Sequence, residues 1–239
     1  MIAACIPFHN DFATIEKVLE KTIKYVDVVI IIDDGSNPPL SGMCSKAVSS
    51  KRVVLIRNEE RKGYGSALKQ GLLLSRKCGA TFAVTLDADA QHDPDEIPKF
   101  INELSSLNAD IVLGNRFKGG SDVPIIDAMF IRLISSFFSI IIKRKIEDTL
   151  CGFRALRLAL LDKIILEKMS NGMGFPLELL AVAVKNGWRI KEVPVKISYN
   201  NFSKRCLKRK FIQLLEILQS LRRAMYLMVT KNDKDFLHM

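Results

Sequence analysis

The sequence predicts an α/β fold built on a mostly parallel central sheet. Three observations predict it: short apolar runs recur along the first half, stretches of helix length separate them, and polar motifs fall where the runs stop. The runs read, in order, "IAACIPF", "VDVVIIIDDGS", "KRVVLIRN", "TFAVTLDADA" and "ADIVLGNRF". They are apolar at consecutive positions, as strands buried on both faces are. Between them lie "ATIEKVLEKTIKY", "GYGSALKQGLLLSRKCG" and "DPDEIPKFINELSSLN", which suit the helical crossovers that parallel strands need. Residues 1 to about 117 therefore read as one α/β unit, and "RIKEVPV" further on reads as an edge strand. Ligands bind beyond the carboxyl ends of the strands in such sheets. The motifs "PFHND", "DDGS" and "DADAQ" fall there, so three strand ends are expected to converge on one crevice.

The later chain changes pattern. Residues 125–145, "IIDAMFIRLISSFFSIIIKRK", are very apolar but interrupted by Asp127, Arg132 and three serines. A central charge makes this a poor spanning helix, and a helix lying in the membrane interface fits better. From Leu207 to Val229, Leu207, Phe211, Leu214, Leu218, Leu221, Met225 and Met228 recur at steps of three or four, opposite Arg209, Gln213, Glu216, Ser220 and Arg223. This is an amphipathic helix with a basic polar side, either docked on its own domain or lying on a membrane. Two such helices in one chain favour the membrane surface. The expected division is a domain over 1–200, with the interfacial helix at about 125–145 inside it, and a basic amphipathic segment over 201–239.

A chain of 239 residues with 48% hydrophobic and 26% charged residues can bury a sizeable core, which excludes disordered, collagen-like and disulfide-scaffold classes. Its five cysteines are odd in number, far apart and form no CxxC pair. They argue against a zinc site and for reduced thiols in the cytoplasm. The start, "MIAACIPFHN", has no basic stretch before its apolar residues and reads as no signal peptide. Net charge is +10, and +6 of it lies in 201–239, where nine Lys or Arg face Glu216, Asp233 and Asp235. A basic tail suits nucleic acid or an anionic membrane. With no nucleic-acid module and no series of stacking aromatics, nucleic acid is not an expected partner.

The densest chemistry lies in "TLDADAQHDPDE", residues 85–96. Asp87 and Asp89, two apart around Ala88, can point the same way at a strand end. Two carboxylates that close repel, and a divalent cation removes the penalty. Gln91, again two residues on, offers a neutral oxygen to the same ion. A solvated acidic loop is the bland alternative. Asp93 and Asp95 read as cap and first-turn acids of the next helix, and His92 as a base or a loop residue. In "DDGS", Asp33 or Asp34 can accept a hydrogen bond from a nucleotide base, or simply shape a turn. Gly63 and Gly65 precede a helix whose N-terminus favours an anion such as a diphosphate. Their spacing matches neither the dinucleotide nor the P-loop pattern. Glu178 reads as facing the cleft or pairing with Arg154, and Trp188 as core.

In one order over about 160 residues stand "IPFHND", "DDGS", "GYGSALKQG", "DADAQHDP", "GNRFKGG" and "DTLCGFRALR". This resembles the inverting family 2 glycosyltransferases of GT-A fold, and among them the dolichyl- or polyprenyl-phosphate mannose synthase group. The later "RIKEVPVKI", with Ser203 and Lys204, extends the resemblance to nearly the whole chain. The resemblance implies a nucleotide-sugar segment at Pro7, Phe8 and Asp11, with phenylalanine and aspartate where tyrosine and glutamate are usual. It implies base contact by Asp33 or Asp34, ribose or sugar contact at Asp87 and Ala88, and a metal at Asp89 and Gln91. Arg116 would meet phosphate, Arg132 and Ser136 would hold the acceptor phosphate, and Lys204 would close over the donor diphosphate. The implied catalytic set is Asp87, Asp89, Arg116 and Arg132. At Ser198 the chain departs from the group's usual arginine.

The implied reaction transfers a sugar, from GDP-mannose or UDP-glucose, to a dolichyl or polyprenyl phosphate with inversion, using Mg2+ or Mn2+. The expected location is peripheral, on the cytoplasmic face of an anionic membrane. A family 2 transferase acting on a glycan or soluble acceptor, which needs a carboxylate base, is the alternative. A non-catalytic nucleotide-binding module is a more distant one.

Overall fold

The computed structural model describes residues 1–42, 51–199 and 207–229. One seven-stranded sheet organises them. Its strands are β1 (Ile2–Phe8), β2 (Val28–Asp34), β3 (Val53–Asn58), β4 (Phe82–Thr85), β5 (Ile111–Asn115), β6 (Arg154–Arg157) and β7 (Ile190–Pro194). Their order is β3-β2-β1-β4-β6-β5-β7. All neighbours pair in parallel except at β6, which runs antiparallel to both β4 and β5. The helices are α1 (Phe12–Thr22), α2 (Tyr64–Lys77), α3 (Ile97–Ser105), α4 (Ile125–Ile141), α5 (Lys163–Lys168), α6 (Phe175–Lys185) and α7 (Leu207–Val229).

The pattern of β2 explains its place. All seven residues of "VVIIIDD" are buried, as an inner strand covered on both faces requires. Side chains of β1 and β2 alternate between two cores. Cys5, Ile30 and Ile32 join the core beneath α2 and α6, whereas Ile6, Phe8 and Ile31 join the one beneath α1 and α3. The α/β unit expected to close near residue 117 is completed only by β6, which inserts between β4 and β5 from much later in the chain.

The two amphipathic helices differ. On α4, Ile131, Ile134, Ser135 and Phe138 are buried, while Ile125, Ile126, Met129, Leu133, Phe137 and Ile140 face outward. On α7, Ile217, Leu221 and Ala224 are buried in the core shared with α6. Polar contacts add to this docking: Glu216 accepts the Met173 N–H at 2.6 Å, and the Ser220 hydroxyl donates to Glu178 at 3.0 Å. Of the two expected settings for this helix, docking on its own domain is what residues 216–224 show. No helix among the described residues is long and apolar enough to cross a membrane.

Candidate active site

Because six strands share one direction, their carboxyl ends line one edge of the sheet, and the loops there are stitched together. After β1, the chain turns at Asn10 with φ 63°, a left-handed conformation that asparagine tolerates. The His9 ring bonds the Asp34 carbonyl at 2.8 Å, Asn10 N donates to the Ser36 hydroxyl at 3.1 Å, and Asn37 N donates to the Asn10 side chain at 2.9 Å. Thr14, in the first turn of α1, donates to the Ala88 carbonyl at 2.7 Å. The three motifs expected to meet do so.

Within this edge Asp33 and Asp34 act as braces. Asp33 accepts from Ser36 N, Leu40 N and the Arg57 guanidinium at 3.0, 3.0 and 2.9 Å. Burial pushes its carboxyl up, but these donors outweigh burial and hold the pKa below the ordinary carboxylate value. Asp34 accepts from the Asn58 amide, Lys62 N and Gly63 N at 3.0, 2.8 and 2.8 Å. Both carboxylates are buried, and their donors come from the neighbouring loops. Phe8 corrects the sequence expectation more sharply. Its ring is buried and packs edge-on against Phe12 at 5.2 Å, so it supports the loop from below and has no side-chain surface to offer a nucleotide. Pro7 is partly buried beside it.

The helix end after Gly63 is also corrected. The N–H of Gly63 is held by Asp34 and that of Ser66 by the Asn171 carbonyl at 3.0 Å. A Cβ on Gly65 would fall 2.6 Å from the Ser170 carbonyl oxygen. These glycines let the 170–172 backbone pack against the start of α2, where the Gly63 and Ser66 N–H groups are engaged within the protein.

The loop after β4 holds the paired carboxylates. The Tyr64 hydroxyl donates to Asp87 Oδ1 at 2.9 Å, and burial, together with the adjacent carboxylate, holds that phenol well above its ordinary pKa. A Cβ on Gly152 would fall 2.8 Å from Asp87 Oδ2 and 3.0 Å from the Tyr64 hydroxyl, so the bare glycine leaves these two side-chain ends in place. Ala90 takes φ 58°, a left-handed conformation costing roughly 1–2 kcal/mol. That turn lets Gln91 N donate to Asp89 Oδ1 at 3.1 Å, while the Gln91 carbonyl accepts from Ser198 N at 3.0 Å. His92 is buried against Phe153, its Nδ1 accepting the Asp87 N–H at 3.2 Å, and burial pushes its pKa down to about 4. It is a neutral strut of the loop, with that nitrogen already engaged. Asp93 accepts from Asp95 N as a cap, and both carboxylates pair with Lys21.

Two arginines stand at the far side. Arg116 follows β5; its Nε donates to buried Asp148 at 2.6 Å and its Nη1 to the Tyr199 hydroxyl at 2.9 Å. Arg132, exposed on α4, lies over the Phe117 ring at 4.7 Å, with exposed Ser136 one helical turn on. The motif "DTLCGFR" ties these parts together. Asp148 holds Arg116, Thr149 bonds Ser135 of α4 at 2.9 Å, Gly152 abuts Asp87, and Arg154 donates to the carbonyls of Thr149, Cys151 and Pro176. Glu178 neither faces the cleft nor pairs with Arg154; it accepts from Ser170 N and Ser220 and lies 3.6 Å from Arg223. Trp188 is buried core. Lys204 lies outside the described residues. Asn10, Tyr64, Asp148, Gly152 and Tyr199 are site-shaping residues that reading by motif left unassigned, although the first four lie inside segments it singled out.

A seven-stranded, mostly parallel sheet with paired carboxylates after an inner strand defines a GT-A glycosyltransferase fold. Crystal structures of glucosyl-3-phosphoglycerate synthase from Mycobacterium tuberculosis share it. One, in complex with Mn2+, UDP and phosphoglyceric acid, superposes with a TM-score of 0.73 at 17% identity over 98% of this chain and 80% of that one. The chain belongs to glycosyl transferase family 2, whose family model matches residues 3–165. Among its relatives, UDP-N-acetylglucosamine--dolichyl-phosphate N-acetylglucosaminyltransferase of Methanococcus voltae is 27% identical over 85% of this chain and 88% of that protein. Polyprenol monophosphomannose synthase of Mycolicibacterium smegmatis is 26% identical over 70% of this chain and 65% of that protein.

Proposed function

We propose that this glycosyltransferase moves a hexosyl unit from a nucleotide sugar to a dolichyl or polyprenyl phosphate, with inversion, while lying against an anionic membrane on its cytoplasmic face. The observation that carries the reading is α4. One helix presents Arg132 and Ser136 together with an outward apolar stripe from Ile125 to Ile140. A phosphate on a long hydrocarbon needs that pairing of cation and apolar surface. The names of the two relatives support the same acceptor class.

The donor's nucleotide would lie across the stitched loops after β1 and β2, with its sugar near Asp87. The oxygen donors of Asp89 and Gln91 fit a hard cation such as Mg2+ or Mn2+. No group of three or more His, Cys, Asp or Glu among the described residues could hold an ion alone, which fits a cation completed by the donor's diphosphate. Such a cation would stabilise charge on the leaving diphosphate. The chain's own groups orient the reactants: Asp87 is held by Tyr64, and Arg116 and Arg132 draw in the incoming phosphate. A phosphate monoester, with a second pKa near 6, is largely dianionic at neutral pH, so the attacking oxygen needs no general base. The engaged, neutral His92 accords with that.

The test is transfer to short-chain polyprenyl phosphate from GDP-mannose, UDP-glucose and UDP-N-acetylglucosamine, with Mg2+ or Mn2+ and after chelation. Expected is a lipid-linked sugar phosphate of inverted anomeric configuration, lost on chelation. Asp89→Asn should lower kcat/KM about a hundredfold or more without lowering the melting temperature. Transfer confined to oligosaccharide or soluble alcohols would reject the reading.

A further inference from the structure

Arg116 is gripped at two of its three guanidinium nitrogens. Asp148 Oδ2 takes its Nε at 2.6 Å and its backbone N–H at 3.1 Å; the Tyr199 hydroxyl takes Nη1 at 2.9 Å. Nη2 has no partner among the described residues. The guanidinium itself is nearly buried, so this grip fixes one orientation and leaves one donor edge for a ligand.

Each grip has a feature that stability alone does not explain. Asp148 is completely buried, yet its Oδ1 has no hydrogen-bond partner among the described residues. A buried carboxylate with an unsatisfied oxygen is costly, and among the described residues the partnered oxygen serves Arg116 alone. Tyr199 belongs to a segment lying on the loop of the paired carboxylates. Ser198 N donates to the Gln91 carbonyl at 3.0 Å, and Ile197 bridges His92. Ser121 secures the start of that segment through Ile197 N and the Val195 carbonyl.

We propose that Asp148 and Tyr199 are positioning residues for the acceptor. They hold Arg116 so that its Nη2 edge meets the acceptor's phosphate oxygens, and Tyr199 keeps that edge in register with the loop of Asp89 and Gln91. This rests on the reading of Arg116 as a phosphate-binding group.

The experiment measures initial rates against short-chain polyprenyl phosphate at saturating donor, and then against donor, for the wild type, Arg116→Lys, Tyr199→Phe and Asp148→Asn. Tyr199→Phe keeps the ring and removes one hydroxyl. It should raise the acceptor KM about five- to tenfold and leave the donor KM within about twofold, with an unchanged melting temperature. Asp148→Asn should raise the acceptor KM about tenfold or more. If Arg116→Lys raises the acceptor KM and Tyr199→Phe does not, the proposal falls and the function stands. An unchanged acceptor KM in Arg116→Lys removes the proposal together with the phosphate-binding role of Arg116 while the function stands, and no transfer to the lipid phosphate by the wild type removes the function as well. A fall in melting temperature in Tyr199→Phe with acceptor KM unchanged reduces Tyr199 to a structural contact and overturns the proposal.

Discussion

His92 shows how one ring can make a loop sensitive to acid. Burial pushes its pKa from 6.5 down to about 4, so between those values the unfolded chain takes up a proton that the folded chain refuses. Stability contributed by neutral His92 is therefore complete above pH 6.5 and is lost as pH falls towards 4. Thermal melts from pH 7 to 4.5 should show a steep decline, and His92→Gln should flatten it. The spacing of Asp87, Asp89 and Gln91 was legible because a strand end repeats every two residues. The same period groups Phe8 with Ala4 and Ile6 on a core face, which the match by motif position overlooked. The partnerships of Arg116 were not legible: Asp148 lies 32 residues away and Tyr199 83, and no local period reports such distances.

At the scale of elements, α4 and α7 carry similar patterns and have different surroundings. Leu133 is 69% exposed on α4, whereas Leu221 of α7 is 3% exposed. On α7 the expected apolar face is split: Leu221 is buried, but Leu218 and Met225 are 48% and 40% exposed, and Ser220, expected on the polar side, is buried; periodicity alone does not state what covers a face. Replacing one outward residue tests the membrane role of α4 directly. Leu133→Glu removes about 1.5–3 kcal/mol of apolar transfer and adds a charge repelled by anionic lipid. Flotation with anionic vesicles should show at least about a tenfold loss of bound protein, with the melting temperature unchanged. Equal binding by the variant would leave α4 without a membrane role.

Across the whole molecule, the segment 170–174 joins α7 to the start of α2. A Cβ on Gly174 would fall 1.6 Å from the Ser220 hydroxyl oxygen, with no room for it unless α7 moves. Gly174→Ala should cost about 1–3 kcal/mol, read as a lower melting temperature. The parallel strands and their crossover helices were legible as apolar runs between helix-length stretches. Strand β6 was not, because its four residues, "RALR", present neither an apolar run nor an alternation. Its reversed direction brings the turn before it to the same edge as the end of β4, where Thr85 pairs with Arg154. That placement has a consequence for biosynthesis. Until residues 154–157 leave the ribosome, β4 is the rim of a half-built sheet, its backbone groups open to any other strand. Chains terminated before Arg154 should collect in aggregates, and chains extended past β6 should not.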